Sequence, residues 1–175
     1  MCIRDRRWTD GPSAGTTITY YFRDSQFGQT WQNYEKAAYE AALQTWANVA
    51  NLTFTQVFSY NGANLVEDLK AKASYLGSHE TPEDAALSDG TAWGEFIRNG
   101  DGWTPTGLQA GGYGYITLVH ELGHALGLAH PHDTGGGSGR FPGVTSAFGD
   151  FGDNNLNQGI FTTCLLYTSP SPRDS

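Results

Sequence analysis

VHELGHALGLAHPHD, Val119 to Asp133, holds four of the chain's five histidines and decides how the rest is read. Ile116 to Leu126 has helical periodicity and should stop at Gly127. Leu118, Leu122 and Ala125 share one helical face, with Val119 and Leu126 alongside. His120 and His124 lie on the opposite face, one turn apart, where two imidazoles can converge on one ion. Glu121 is rotated enough to miss that ion but near enough to reach a water beside it. Glycine can take the left-handed conformation that ends a helix, so a turn at Gly127 would bring His130 back as a third ligand. Pro131 biases His130 towards extended backbone, as expected of a chain leaving a helix.

Three neutral imidazoles leave the fourth position of a zinc ion open for water, the pattern of a catalytic rather than a structural site. Zinc lowers the pKa of that water towards ~7, and a neighbouring carboxylate can then take its proton. The expected metal ligands are therefore His120, His124 and His130, with Glu121 as catalytic base. The bland rival is an amphipathic helix whose polar face happens to carry histidines. Ordinary residue frequencies make H-E-x-x-H-x-x-G-x-x-H in a chain this long a coincidence on the order of one in 10⁵.

HELGHALGLAHP resembles the metzincin zinc endopeptidases, and Pro131 directly after the third histidine looks like their serralysin branch. GGYGYITL before it and HD after it are similar to the same branch. Ala42–Phe54, ALQTWANVANLTF, more weakly resembles the family's first helix and following strand. On that resemblance the zinc ligands fall on His120, His124 and His130, and the general base on Glu121. It further implies secretion to the extracellular side of a bacterium, and calcium bound chiefly by a downstream Gly/Asp repeat region. The family also has a methionine turn beneath the zinc. NLNQGIFTT, Asn155 to Thr163, looks like its lead-in, so the methionine would fall at position 164, where Cys164 stands.

Both ends have an unusual reading. CLLYTSPSPRD looks like the translation of a transposase mosaic-end sequencing adapter, and MCIRD is similar to its reverse complement. Residues 1–6 and 164–175 are accordingly expected to be adapter-derived. Residues 7–163 then form part of a metalloprotease catalytic domain, cut just before its methionine turn. Cys2 and Cys164 both fall in those ends, which leaves no disulfide framework or CxxC metal site between them. The remainder carries seven basic and sixteen acidic residues, a net charge of −9. Such an acidic fragment is a poor candidate for nucleic acid or an anionic membrane surface. No apolar run is long enough to span a bilayer.

About 157 residues suffice for one domain with its own core. Gly15–Phe22 and Leu52–Phe58 read as strands, and Trp31–Val49 as an alanine-rich helix between them. Strand, helix, strand at this spacing predicts a parallel βαβ unit. Asn64–Lys70 reads as a strand or a short helix, Thr81–Gly90 as a polar loop, and Thr91–Arg98 as an edge strand. Trp93–Ile97 on that edge would pair with an extended peptide as readily as stand alone. Beyond Asp133 the Gly, Asp and Asn content predicts mostly loop. GDFGDNN, with Asp150, Asp153, Asn154 and Asn155, offers oxygen ligands for calcium but lacks EF-hand spacing, so it reads as a flexible loop. His132 reads as a solvent-exposed loop residue. Asp133 is balanced between orienting a ligand and plain loop, and His79 needs no site role.

The expected fold is an α/β zincin type: a twisted, mixed, mostly parallel sheet with two long helices, the second carrying the site. The expected function is zinc-dependent hydrolysis of peptide bonds in extracellular proteins, by a monomer whose partners are protein or peptide substrates. Two rivals remain in view: a non-catalytic zinc-binding or adhesion module with a remnant zinc helix, and a zinc hydrolase acting on something other than peptides.

Overall fold

A computed structural model describes residues 3–4, 8, 15–134 and 139–158. The elements in chain order are β1 (Ile3–Arg4), β2 (Thr16–Arg23), α1 (Asn33–Ala47), β3 (Leu52–Gln56), β4 (Leu65–Lys70), β5 (Gly77–His79), α2 (Pro82–Leu87), β6 (Ala92–Ile97), α3 (Tyr113–Ala125) and β7 (Leu128–Ala129). Five strands form one sheet in the order β3-β2-β4-β6-β5. Its first three pairings are parallel, and β5 alone runs antiparallel, along β6. The expected βαβ unit is present, with Thr16 to Tyr20 of β2 in register with Leu52 to Gln56 of β3. The ends β1 and β7 pair separately, Ile3 opposite Ala129.

The sequence TTITYYFR explains β2: Ile18, Tyr20 and Phe22 alternate inwards and are buried, as a strand with one core face requires. They meet Tyr39, Ala42 and Leu43 of α1 and Leu118 and Leu122 of α3, all buried. Phe22, Trp31, Tyr39, Phe96 and Trp103 fill the middle, mostly edge to face, with neighbouring ring centroids 4.8–6.1 Å apart. The two long helices are locked to each other. Trp46 Nε1 donates to the Val119 carbonyl at 3.1 Å, and the Tyr115 hydroxyl donates to the Ala41 carbonyl at 3.1 Å. Both donors come from apolar rings, so packing and hydrogen bonding fix one helix orientation together.

At the start of α1, Glu35 is fully buried and accepts five hydrogen bonds, the longest from the Tyr34 hydroxyl at 3.4 Å. Gln32 N–H donates at 2.6 Å, Trp103 Nε1 at 2.8 Å, and the Arg98 guanidinium through two nitrogens at 3.0 and 2.7 Å. Glu35→Ala strands the buried Trp103 donor and leaves the half-buried Arg98 with only Gln29 and Thr30 as acceptors. Removing one partner of a buried pair should lower stability by about 3 kcal/mol, readable as a drop in urea midpoint at unchanged slope.

One open expectation is decided and two change. Of the strand and the short helix left open for Asn64–Lys70, the structure has the strand, β4, whose first five residues are all buried because it is covered on both faces, which erases alternation. Thr81–Gly90 is not simply a loop: it contains α2. Thr81 caps that helix by accepting from the Asp84 N–H, and Pro82 sits in its first turn. Thr91–Arg98 contains β6, but β6 lies between β4 and β5 and is not an edge. Trp93–Ile97 therefore has no free edge for a peptide; the edge strands of this sheet are β3 and, on this side, β5. Position 164 and the stretch after it lie outside the described residues, as does most of 1–6.

Candidate metal centre

Helix α3 carries His120 and His124 one turn apart, as the spacing requires, and ends at Ala125. Gly127 follows with φ of 90°, a conformation that a side chain would strain. That one glycine reverses the chain and lets β7 carry His130 back towards the helix. The Nε2 atom of His124 lies 3.2 Å from Nε2 of His120 and 3.2 Å from Nε2 of His130. A tetrahedral zinc ion with Zn–N bonds of about 2.05 Å holds its nitrogens roughly 3.3 Å apart. The donor set thus fits zinc in residue type, and both distances from His124 match that spacing, with all three donor atoms within 4.8 Å of one another. Among the described residues these three histidines form the one group of His, Cys, Asp or Glu placed to hold a metal ion.

The tautomer of the central histidine is fixed. His124 Nδ1 faces the Leu128 carbonyl at 2.6 Å, and a carbonyl only accepts, so Nδ1 carries the proton and Nε2 presents a lone pair. Burial, reinforced by repulsion from His120 and His130, holds the His124 pKa down at about 3. Burial also lowers the His130 pKa, with His132 adding to the effect and Asp133 opposing it. Neutral imidazoles are the form that binds a cation.

Glu121 is 4 % exposed, and burial pushes its carboxyl up to about 7, against the pull of His79. Its side chain packs on the backbone of β5. A Cβ placed on Gly77 would come within 2.7 Å of Glu121 Cγ, so only glycine fits there. The three histidines, Glu121, Gly77 and His79 line one cavity of about 330 Å³ that opens beside β5. Solvent access, a buried carboxylate and three convergent lone pairs therefore meet in a single cleft.

The minor expectations divide. His132 stacks on the His130 ring at 5.4 Å and 20°, so it supports that ring's orientation rather than standing free. Asp133 lines the cavity. Asp150 is occupied elsewhere. Its carboxylate accepts from the N–H groups of Thr145, Ser146 and Gly152 at 2.7–3.1 Å, which holds its pKa down at about 2. Asp153, Asn154 and Asn155 form a 3₁₀ turn with positive φ at both asparagines. GDFGDNN is thus organised as a hydrogen-bonded turn. Gly77 and His79 are site residues that periodicity missed. Their only sequence signal is the short run GSH between polar segments.

A family model for the matrixins, peptidase M10, matches residues 7–136, the part of the chain that contains this cleft. The chain belongs to the matrixin peptidases. It is 37 % identical over 113 residues to metallopeptidase AprA of Pseudomonas marginalis, covering 60 % of this chain and 22 % of that protein. To serralysin of Photorhabdus laumondii it is 31 % identical over 145 residues, 74 % of this chain and 29 % of the relative. The chain therefore spans about a fifth to a third of the curated relatives it matches. Its fold is similar to that of myroilysin, with TM-score 0.53 and 23 % identity over 74 % of this chain and 55 % of that one. The serralysin-like metzincin assignment and the zincin fold expected from the motif both stand.

Proposed function

We propose that this matrixin-family chain is the catalytic part of a zinc endopeptidase. His120, His124 and His130 hold the ion, and Glu121 is the catalytic base. The observation that carries the reading is the convergence of three Nε2 lone pairs in a cleft whose wall is a buried carboxylate. When bound there, zinc supplies Lewis acidity towards water and a scissile carbonyl. Glu121 accepts a proton from the attacking water on its carboxylate and later delivers it to the departing amine. A carboxyl held near neutrality suits both halves of that exchange. The cavity mouth beside β5 gives the substrate chain access to these groups.

Resemblance to serralysins supports protein substrates outside the cell, a secreted protein and a monomer. The acidic composition speaks against nucleic acid. Among the described residues no helix is long and apolar enough to cross a membrane. A non-catalytic zinc-binding or adhesion module is the competing reading. It leaves Glu121 without a purpose, because desolvating a carboxylate costs stability unless its altered proton affinity is used.

Metal removal tests the proposal. The protein should contain one zinc per chain and cleave casein. Dialysis against 1,10-phenanthroline should abolish cleavage, and one equivalent of zinc should restore it. Cleavage that persists in metal-free protein would refute the reading.

A further inference from the structure

From His79 in the cleft wall, a buried polar network with no part in the mechanism above runs into the core. His79 and Glu67 are 8 % and 0 % exposed, and Tyr39 is 0 % exposed. The Tyr39 hydroxyl donates to Glu67 Oε1 at 2.5 Å, and His79 Nε2 lies 3.2 Å from the same oxygen. His79 Nδ1 faces the Glu80 carbonyl at 2.7 Å. Both ring nitrogens thus meet acceptors, the arrangement of an imidazolium. Burial pulls the His79 pKa down, but the charge and hydrogen bond of Glu67 outweigh it and the pKa is raised.

The pair is assembled across three strands. Glu67 on β4 and His79 on β5 are both in register with Gly94 of β6. They meet above that glycine because it has no side chain: a Cβ there would lie 2.1 Å from Glu67 Oε2 and 2.7 Å from His79 Cδ2. Glu67 Oε2 has no hydrogen-bond partner among the described residues. A buried ion pair with an unsatisfied oxygen is a poor source of stability, since well-packed apolar residues usually do as well or better. What such a pair does supply is a unique register.

Besides this pair, β5 is held on β6 by the Glu80 and Ile97 amides, bonded to the Trp93 and Leu76 carbonyls, and by the Glu80 carboxylate, which accepts from the Trp93 N–H. It is three residues long, antiparallel, and at the sheet edge. Slipping by one residue would turn both His79 and Gly77 to the other face. Gly77 shares the face of His79, two residues away, and it is the position against which Glu121 packs.

We propose that His79, Glu67 and Tyr39 are positioning residues that pin edge strand β5 in register, so that Gly77 keeps Glu121 in its working place. This rests on the reading of Glu121 as base. The test is the triple variant Tyr39→Phe/Glu67→Leu/His79→Leu, which replaces the whole network by apolar side chains, with His79→Gln beside it as a milder change. The triple variant should melt no lower than the parent and keep one zinc per chain. Its kcat on a peptide substrate should fall roughly 10–100-fold with KM little changed, the signature of a misplaced catalytic group. The Glu80 amide, bonded to the Trp93 carbonyl, and the Ile97 amide, bonded to Leu76, should exchange hydrogen roughly tenfold faster. His79→Gln should shift both readouts in the same direction. Parental kcat together with parental exchange in either folded variant would overturn the inference. A parent protein that binds zinc but cleaves nothing would overturn the protease reading instead, and the two amides would then decide the register claim alone.

Discussion

Glu121→Gln keeps its zinc and loses proteolysis, with kcat/KM falling roughly 10²–10⁴-fold. Glutamine is close in size and shape to glutamate, so it can still lie against Gly77, where nothing larger than a hydrogen is tolerated at the α-carbon. It adds no charge to a side chain that is 4 % exposed, so the fold should be no less stable. The zinc should stay because the three Nε2 donors do not include this side chain. What changes is the ability to accept a proton, since an amide oxygen is far too weak a base. The loss should therefore sit in kcat, with KM within a few-fold. Metal analysis and casein or peptide kinetics on one preparation check both halves. A variant within tenfold of the parent would remove Glu121 from the mechanism. A variant that had also lost zinc would make it a support of the metal centre instead.

The metal site is legible in the sequence because it is local. His120, Glu121, His124, Gly127 and His130 span eleven positions, and each relation among them follows from helix geometry or from one glycine. The βαβ unit was legible for the same reason, since β2, α1 and β3 are consecutive and carry ordinary periodicities. What escaped depends on pairing between distant segments. Whether β6 is an edge is decided by β5, and GSH has neither β-branched residues nor enough length to announce a strand. The burial of β4 on both faces removed the alternation that would have distinguished it from a helix. Nothing local marks His79, because its partner lies twelve residues earlier on a non-adjacent strand, brought close only because Gly94 between them is bare. Local chemistry was visible; the support beneath it is a property of sheet order.

His124→Ala should lose the metal more completely than any other single change in the cleft. His124 is the central ligand: its Nε2 is 3.2 Å from those of both His120 and His130, and its other nitrogen is anchored on the Leu128 carbonyl. Four-ligand structural zinc sites show apparent binding free energies of about 10–16 kcal/mol, so one protein ligand accounts for roughly 3–4 kcal/mol, or 10²–10³ in affinity. Zinc bound only by the folded state raises stability with the logarithm of its concentration over Kd, so the melting temperature reports the loss directly. Zinc should raise the melting temperature of the parent and leave that of the variant nearly unmoved. Without metal the two should melt close together. Removing the central ring strands the Leu128 carbonyl, but it also removes a buried imidazole whose pKa is held at about 3 by burial, with repulsion from His120 and His130 adding to it. A variant that is folded and retains one tightly held zinc per chain would show that the ion sits elsewhere. Loss of zinc with the fold intact would show that the histidines are brought together by the protein before the metal arrives.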